Sequence, residues 1–331
     1  MSSRVAIVGC GRIGQKRSKA LSDARLVVCA DQDISRAKAL AEPFSNVAAT
    51  SDVEEVLRRK DVDIVIVATT NDVLTKISLQ AIRAGKHVLV EKPGARSSEE
   101  LKELIAAAEK TNVKIRVGFN HRYHPALQKA NELVQAGELG ELMFVRGRYG
   151  HGGRLGYEKE WRADPKLSGG GELIDQGVHL IDLARWFLGD FTKVSGFAHT
   201  YFWKMPVDDN GFMLLQTPAQ QVAFLHVSCT EWKNLFSFEI YGKKAKLSIE
   251  GLGGSYGAEK LFFYKMLPEM GPPETTKWEF PEGDNSWNTE FAEFLEDIRL
   301  SRAPAASLRD ACEALAIVEK IEKESGYDYH T

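Results

Sequence analysis

Cysteine is scarce in this sequence, and long apolar runs are absent. The chain has four cysteines, widely scattered and with no C-x-x-C pair, which is typical of reduced, mostly structural thiols in a cytosolic protein. No apolar run approaches the length of about 18 residues that spans a bilayer. The first residues also lack the long apolar core of a signal peptide. We therefore expect a cytoplasmic protein with no membrane partner.

An excess of charge of one sign is also missing. Lysine and arginine number 43 against 46 acidic residues, and the net charge is −3. Both signs are interspersed, so the sequence gives no reason to expect nucleic acid as a partner. Hydrophobic residues make up 44% and charged residues 27% of the 331 positions, as in ordinary globular proteins. This length is sufficient for two domains, each with its own core.

The first 120 residues alternate short strands with helices. Short Val- and Ile-rich segments alternate with amphipathic stretches. The Val- and Ile-rich segments are RVAIVG, RLVVCA, DIVIVATT, HVLVE and KIRVGF. Such apolar runs are typical of buried parallel strands. A regular βαβα order predicts a doubly wound parallel sheet with helices on both faces. We expect residues 1–120 to form a domain of the Rossmann type.

The rhythm changes after residue 120. A helix and a strand precede a loop rich in glycine and aromatics at about 150–170, and a long helix is expected over 169–190. Successive strands over 192–250 predict an open, largely antiparallel sheet. Glycine and proline punctuate 251–285, and two helices are expected at about 287–300 and 307–324. Residues 121–331 should therefore form an α+β domain.

A glycine-rich turn follows the first strand. In VAIVGCGRIG, three glycines stand in the G-x-G-x-x-G register between a strand and a helix. Gly9 would allow the tight turn, Gly11 the approach of a diphosphate, and Gly14 close packing of helix on sheet. Asp31 ends the second strand, where a carboxylate binds the ribose hydroxyls of NAD and repels the 2′-phosphate of NADP. The sequence therefore predicts a dinucleotide site that prefers NAD to NADP.

An acid and an imidazole stand one helical turn apart in GGGELIDQGVHLIDLARWFLGD, residues 169–190. Asp175 and His179 would share a helix face, and Asp182 follows on nearly the same side. This group could hold a metal, transfer a proton or form a solvated pair. Zinc normally has at least three protein ligands, and no third His or Cys stands at ligand spacing. We therefore expect no metal.

The strand HVLVE ends in Glu91-Lys92-Pro93. The proline disfavours a helical conformation at Lys92 and keeps it extended at the carboxyl edge of the sheet, where ligands of open α/β folds bind. A lysine there can donate to a substrate hydroxyl and stabilise the alkoxide as it forms. From these three residues alone, an ordinary surface lysine at a strand end is the favoured interpretation.

Together these motifs resemble the Gfo/Idh/MocA oxidoreductases, which include inositol dehydrogenase and glucose–fructose oxidoreductase. The resemblance rests on the glycine turn with Asp31 and on AGKHVLVEKP, VGFNHRYHP and GGGELIDQGVHLID, in the family's order, and it extends from residue 4 to at least 250. It implies an NAD(P)-dependent dehydrogenase. The reaction would oxidise a secondary hydroxyl of a sugar, a sugar derivative or a cyclitol to the ketone, or run in reverse.

The resemblance also implies a catalytic set of Lys92, Asp175 and His179, brought together from two domains around the nicotinamide. His179 would be the general base, since an imidazole titrates at about pH 6.5, close to the operating pH. Asp175 would orient that imidazole or bind the adjacent hydroxyl, and Lys92 would polarise the reacting oxygen.

Further positions are expected to bind cofactor or substrate. The cofactor-binding positions are Gly9, Gly11, Arg12, Ile13, Gly14, Asp31, Thr69, Thr70, Asn71, Glu91, Lys92 and Asn120. The substrate-binding positions are Lys92, Arg122, Arg148, Tyr157, Trp161, Arg162, Asp175 and His179. Arg122 could equally be an ion-pair residue that holds the domains together. The aromatic and basic side chains of the 150–168 loop suit a sugar with an anionic group, such as a hexuronate or sugar nucleotide, as well as a neutral sugar or cyclitol. Alternatively, these charges pair among themselves.

Two other functions remain open from the sequence. A protein of this fold can bind a dinucleotide and act as a non-catalytic sugar sensor, although the intact catalytic set favours an enzyme. The nicotinamide could also stay bound while two sugars exchange a hydride. The resemblance implies a homodimer or homotetramer that pairs through the open face of the second-domain sheet, at 222–249.

Overall fold

The computed structural model describes residues 2–269 and 271–329, which divide into two compact units. The first unit contains the chain up to Phe119 together with Lys166–Gly169 and Trp287–Leu315. The second contains Asn120–Pro165, Gly170–Ser286 and the chain from Ala316 onward. The sequence prediction placed all of residues 121–331 in the second domain. Residues 287–315 instead belong with the first.

In the described part of the chain, the first unit has a six-stranded sheet in the order β3-β2-β1-β4-β5-β6, with every neighbouring pair parallel. The strands are β1 (Arg4–Val8), β2 (Arg25–Ala30), β3 (Ala48–Thr50), β4 (Ile64–Val67), β5 (His87–Glu91) and β6 (Ile115–Gly118). The helices between them are α1 (Arg12–Ser18), α2 (Ile34–Ala41), α3 (Val53–Arg58), α4 (Asn71–Arg83) and α5 (Ser98–Ala108). The predicted doubly wound Rossmann sheet is confirmed. Because all strands run the same way, the segments that follow them lie at one edge.

The second unit contains an eight-stranded sheet among its described residues, in the order β14-β13-β12-β11-β7-β10-β9-β8. Its strands are β7 (Leu142–Gly150), β8 (Lys193–His199), β9 (Asn210–Gln216), β10 (Val222–Ser228), β11 (Leu235–Gly242), β12 (Ala245–Glu250), β13 (Glu259–Lys265) and β14 (Glu274–Phe280). Only β7 and β10 pair in parallel, so the predicted largely antiparallel sheet is confirmed. The sequence prediction missed β13 and β14 within 251–285, because β14 is a polar, mostly exposed edge strand without a clear apolar alternation.

The remaining helices are divided between the two units, and those of the second unit cover one face of its sheet. The remaining helices of the chain are α6 (Pro125–Gln135), α7 (Pro165–Ser168), α8 (Val178–Leu188), α9 (Ser286–Arg299) and α10 (Leu308–Glu324). Helix α8 packs on β7 and β10, where a Cβ at Gly147 would lie 3.2 Å from Leu180 and 3.0 Å from Leu225. The opposite face is open, and Leu214 and Phe224 face each other there, each more than half exposed.

Two segments around the candidate site differ from the sequence prediction. The continuous helix expected over 169–190 is a π-helical turn, Leu173–Gly177, that leads into α8. Such π turns are frequently found at functional sites. The loop expected over 150–170 contains the 3₁₀ turns Tyr157–Lys159 and Trp161–Ala163 before α7.

Helix α9 lies far along the sequence from the Rossmann sheet but contributes to its core. Phe291 and Phe294 are fully buried among residues of β1, β2 and β4. Glu290 of the same helix accepts a hydrogen bond from Arg17 at 2.6 Å, and both side chains are fully buried. Buried charges of this kind require such partners. These contacts explain why residues 287–315 belong to the first unit.

The remaining expectations concern thiols and membranes. Cys10, Cys29, Cys229 and Cys312 are free thiols in the described structure, and Cys312 alone among them is not buried. Within residues 2–269 and 271–329, no helix combines the length and the apolarity needed to cross a membrane.

Candidate active site

The glycine turn of the first unit is shaped by close backbone contacts. Gly9 has a φ of +95°, and a Cβ there would lie 2.4 Å from the carbonyl oxygen of Ala68. A Cβ at Gly14 would lie 2.0 Å from the carbonyl oxygen of Gly9. At Gly11, by contrast, a Cβ would meet no atom within 4 Å. Two glycines therefore close the turn against β4, and the third leaves open the side on which a diphosphate would lie.

Asp31 stands directly beside this turn. Its Oδ2 accepts a hydrogen bond from the N–H of Cys10 at 2.8 Å, and its Oδ1 accepts one from the N–H of Asp33 at 3.0 Å. These two bonds fix the carboxylate at the end of β2, next to the predicted diphosphate position. This geometry is compatible with the predicted contact to the ribose hydroxyls.

Several other residues that were predicted to bind the cofactor form hydrogen bonds within the protein. The buried Asn71 amide donates to the carbonyl of Ser168 at 2.8 Å, and Glu91 accepts from Nε of Arg17 at 2.6 Å. Asn120, in the second unit, donates to Oγ of Ser286 at 2.8 Å. The structure thus assigns these three side chains to internal positioning. Of the other predicted positions, Thr69, Thr70 and Ile13 are half-buried and Arg12 is exposed.

Lys92 follows the last residue of β5 and is half-buried, with a cis peptide bond to Pro93. The preceding residue, Glu91, is bonded to Arg17, which in turn bonds Glu290 of α9. The end of β5 is therefore fixed by a buried ionic network. In the first unit, Lys92 thus lies at the same edge of the parallel sheet as the glycine turn and Asp31.

Asp175 and His179 lie in the second unit, on the π-helical turn and at the start of α8. Oδ2 of Asp175 accepts a hydrogen bond from Nε of Arg162 at 2.9 Å, and the charge of Asp175 raises the pKa of that guanidinium above its ordinary value. The His179 imidazole is buried and stacks on His121, with ring centroids 3.7 Å apart. Tyr149 borders the same two imidazoles.

These contacts bear on the alternatives that the sequence left open. His179 is only 4% exposed, so Asp175 and His179 are not a solvated pair. Across residues 2–269 and 271–329, no three His, Cys, Asp or Glu side chains are grouped so that they could hold a metal ion. The Asp175 carboxylate binds a guanidinium instead. An acid and a buried imidazole on one helical segment are suited to proton transfer.

Arg122 and Asp182 form a buried ion pair within the second unit. Nε and Nη2 of Arg122 donate to Oδ2 and Oδ1 of Asp182 at 2.8 and 2.5 Å. Both side chains are buried. The pairing favours a structural role for Arg122 over the predicted substrate contact. Its partner also belongs to the second unit, so this ion pair does not hold two domains together.

The predicted substrate loop places its residues in different surroundings. Tyr157 is buried between the rings of His151 and Trp203, at centroid distances of 5.5 and 5.6 Å. Burial, with the nearby charges of Glu172 and Asp175, raises the pKa of Tyr157. The guanidinium of Arg162 lies 4.6 Å from the ring of Trp161.

Arg148, another predicted substrate-binding residue, lies on β7 and not in this loop. It alternates with the buried Tyr149 along β7 and pairs in register with His226 of β10. Successive side chains of a strand point to opposite faces. Since Tyr149 borders the imidazole of His179, Arg148 points to the open face of the sheet instead.

Sequence reasoning missed two consecutive buried acids at the start of β9. Asp208 accepts hydrogen bonds from the N–H groups of Gly171 and Leu173 at 3.1 and 2.9 Å, and its backbone carbonyl accepts from Glu172. It therefore anchors the chain that enters the π-helical turn. Burial raises the pKa of Asp208 to about 6.

Asp209 anchors a different segment, the loop 201–203. It accepts hydrogen bonds from the N–H groups of Tyr201, Phe202 and Trp203 at 2.9, 2.7 and 3.0 Å. Both acids are completely buried. The only signal in the sequence was the pair of acids in VDDN, directly before an apolar strand. Acids are almost never fully buried without hydrogen-bond partners, so two acids at this place could have indicated buried anchoring side chains.

Comparison with known families completes this description. Residues 3–119 match the model of the oxidoreductase family with an NAD-binding Rossmann fold, and residues 127–248 match the GFO/IDH/MocA C-terminal domain. The chain belongs to the Gfo/Idh/MocA oxidoreductase family. The resemblance seen in the sequence motifs is thereby confirmed, and the first unit is the family's NAD-binding Rossmann domain.

Individual members of the family show the degree of similarity. Levoglucosan dehydrogenase of Pseudarthrobacter phenanthrenivorans is 29% identical over 64% of this chain and 58% of its own length. D-glucoside 3-dehydrogenase of Escherichia coli is 33% identical over 60% of this chain and 57% of its own length. The matches thus span less than two thirds of these relatives. The structure of a levoglucosan dehydrogenase in complex with NADH is 26% identical, with a TM-score of 0.87 and 98% of each chain covered.

Proposed function

We propose that this chain is an NAD-dependent dehydrogenase that oxidises a secondary hydroxyl of an uncharged sugar or cyclitol, or reduces the corresponding ketone. The observation that carries the proposal is the pairing, on one helical segment, of the buried His179 imidazole with an Asp175 carboxylate fixed by Arg162. The family assignment and the names of the relatives, which are dehydrogenases of levoglucosan and of a glucoside, support the same reaction class.

The glycine turn fits NAD. Gly11 leaves room for the diphosphate, and the Asp31 carboxylate is held where a ribose diol could donate to it. A second anion at that place would be repelled, which disfavours NADP. NAD, when bound, supplies the acceptor for the hydride that leaves the carbinol carbon.

Three side chains of the protein act on the proton and the oxygen of the substrate hydroxyl. His179 removes the proton of the substrate hydroxyl, and its burial keeps competing water away. Asp175, held by Arg162, binds the adjacent hydroxyl or orients the imidazole. Lys92 donates to the reacting oxygen and stabilises the alkoxide as it forms. We propose Lys92, Asp175 and His179 as the catalytic side chains of this chain.

An uncharged substrate is favoured by the pairing of the loop arginines. Arg162 is bonded to Asp175, and Arg154 contacts Glu160 at 2.7 Å. Arg148 lies on the opposite face of β7. The sequence had left an anionic sugar open because of these charges. Both loop arginines already neutralise a carboxylate of the protein. The carboxylate of a hexuronate would therefore enter the site without a positive charge to balance it.

Pairing through the second-unit sheet also stays a proposal. Phe197, Leu214 and Phe224 lie on the open face of β8–β10 and are 72%, 52% and 53% exposed. Exposed apolar surface of this kind often marks a contact between protein molecules. A homodimer or homotetramer would cover it. A cytoplasmic location likewise remains a prediction.

The proposal is tested by NADH formation with neutral sugars, cyclitols and the matching uronates. We expect turnover of a neutral compound, and His179→Ala should lower kcat by about 10²-fold or more, the usual contribution of a positioned acid–base group. The affinity for NADH should change little. His199→Ala, an exposed histidine on β8, is the matched control and should retain activity. Normal kcat in His179→Ala would contradict the assigned role.

A further inference from the structure

Three aromatic side chains of the second unit form a continuous surface, which we name the aromatic platform (Phe202, Trp203 and Trp232). Phe202 packs edge-to-face on Trp232 with centroids 4.6 Å apart, and it contacts Trp203 at 5.1 Å. Phe202 and Trp232 nevertheless remain 55% and 65% exposed. Large aromatic rings left in contact with water in this way commonly mark a binding surface.

The aromatic platform is continuous with the candidate active site. Trp203 lies 5.6 Å from the ring of Tyr157, and Tyr157 packs edge-to-face on His151, whose Nε2 is 3.8 Å from Oε1 of Glu172. Arg162, whose guanidinium lies 4.6 Å from the ring of Trp161, binds Asp175, which is three residues after Glu172. A chain of contacting rings therefore runs from the buried Tyr157, near Glu172 and Asp175, through Trp203 and Phe202 to the exposed Trp232. A ligand seated against Asp175 could reach the platform with a second ring.

The aromatic platform is rigidly held. Asp209 accepts three consecutive N–H groups of the loop that carries Phe202 and Trp203, and the indole N–H of Trp203 donates to the carbonyl of Cys229 at 2.9 Å. Rings that are fixed before binding lose little conformational entropy when a ligand arrives.

Glycines of the loop 150–168 allow Trp203 and Trp232 to pack closely against the backbone of that loop. A Cβ at Gly153 would lie 2.4 Å from the Trp203 ring, and one at Gly152 would lie 3.0 Å from Cα of Trp232. Trp232 itself has a φ of +56°. This left-handed conformation is rare for a bulky residue and is seen mainly at functional positions.

We propose that the aromatic platform is a subsite for the aglycone of a glycoside, so that the preferred substrate is a neutral sugar that carries a second ring. The inference rests on the proposed function. Aromatic faces bind the apolar faces of flat or pyranose rings without needing charge. The sugar would occupy the site at Asp175 and His179, and its aglycone would lie on Phe202 and Trp232.

The test compares the methyl and phenyl glycosides of the best neutral sugar. We expect wild type to have the higher kcat/KM for the phenyl glycoside. Trp232→Ala and Phe202→Ala should each lower the ratio of the phenyl to the methyl value by up to about tenfold, which corresponds to about 1.4 kcal/mol. Tyr201→Ala is the matched control, because Tyr201 is 66% exposed on the same loop but its ring contacts His199, with centroids 4.4 Å apart, instead of the platform. In Tyr201→Ala, the ratio of the phenyl to the methyl kcat/KM should equal the ratio in wild type.

A second measurement separates this inference from the proposed function. Phenyl glycoside binding is measured by calorimetry on the NADH complex of His179→Ala, with and without Trp232→Ala. Weaker binding in the double variant supports the subsite even when no substrate is turned over. Equal affinities, or equal wild-type kcat/KM for both glycosides, would overturn it while leaving the dehydrogenase proposal intact. A change in the solution mass of Trp232→Ala without a change in the ratio would also overturn it, because the rings would then be a contact between copies.

Discussion

Single carboxylates determine the chemistry at three places in this chain. Asp31 is fixed beside the glycine turn by two N–H groups, Asp175 is neutralised by Arg162, and Asp182 is paired with Arg122. We propose cofactor recognition for the first carboxylate and catalysis for the second, while the third forms a buried structural ion pair. Neighbouring donors, rather than the acid itself, decide the role.

The carboxylate of Asp31 leads to a prediction about cofactor choice. Wild type should have a higher kcat/KM with NAD than with NADP, because a fixed anion repels the 2′-phosphate. Asp31→Ser combined with Gln32→Arg should shift that ratio toward NADP by at least about tenfold, equivalent to about 1.4 kcal/mol. Gln32→Arg alone is the control and should shift it less. A wild type that prefers NADP would refute the role given to Asp31.

The sequence could predict residues whose role depends on close neighbours in the chain. Gly9, Gly14 and Asp31 follow from a local strand–turn–helix–strand pattern, and the structure places them together. Arg148 was wrongly assigned because the start of the loop was taken to include the end of β7, where alternation reverses the side chain. Asp208 was missed because its partners, Gly171 and Leu173, are more than 30 residues away in the sequence.

At the scale of elements, the candidate site depends on two anchored segments. Asp208 holds the entry to the π-helical turn that carries Asp175, while Asp209 holds the loop that carries Phe202 and Trp203. Two neighbouring acids directly before β9 therefore hold two separate segments of the chain, the π-helical turn and the loop 201–203. A site built in this way keeps its geometry without relying on the flexible ends of loops.

This arrangement predicts different effects for two adjacent substitutions. Asp208→Asn should lower kcat about tenfold on the methyl glycoside with little change in NADH affinity, because an amide NH₂ would face N–H donors and release the π-helical turn. Asp209→Asn should instead reduce the preference for the phenyl glycoside. Steady-state kinetics of both variants provides the check, with thermal unfolding to confirm that each is folded. Equal losses on both substrates in both variants would indicate general destabilisation instead of separate positioning.

The elements themselves were largely predictable where their apolar pattern was strong. The five apolar segments of the first 120 residues became strands, and α10 was expected within one residue of its observed bounds. Strands β13 and β14 were not expected, because glycine and proline flank both of them and β14 is polar and mostly exposed. The π-helical turn was also not foreseen, since its spacing resembles that of an α-helix.

At the scale of the whole molecule, the chain builds one unit, forms most of the second and then returns to the first. The return could not be predicted, because Glu290 and Asp297 of α9 find their partners in Arg17 and Arg116, more than 150 residues earlier. By anchoring Arg17, α9 also supports Glu91, the residue before Lys92. A C-terminal helix thus contributes to the edge of the Rossmann sheet at which the cofactor is expected.

Steady-state kinetics of Lys92→Met tests the central claim of an enzyme most directly. The substitution keeps much of the side-chain volume but removes the donor that stabilises the alkoxide. With NAD and the best neutral sugar, kcat and kcat/KM should fall together by about 10²–10³-fold, as for one lost electrostatic contact in the transition state. Lys76→Met, an exposed lysine on α4, should behave as wild type. A wild type that binds NADH and sugar in calorimetry but forms no product, or an unchanged kcat in Lys92→Met, would contradict the account and favour a sensor.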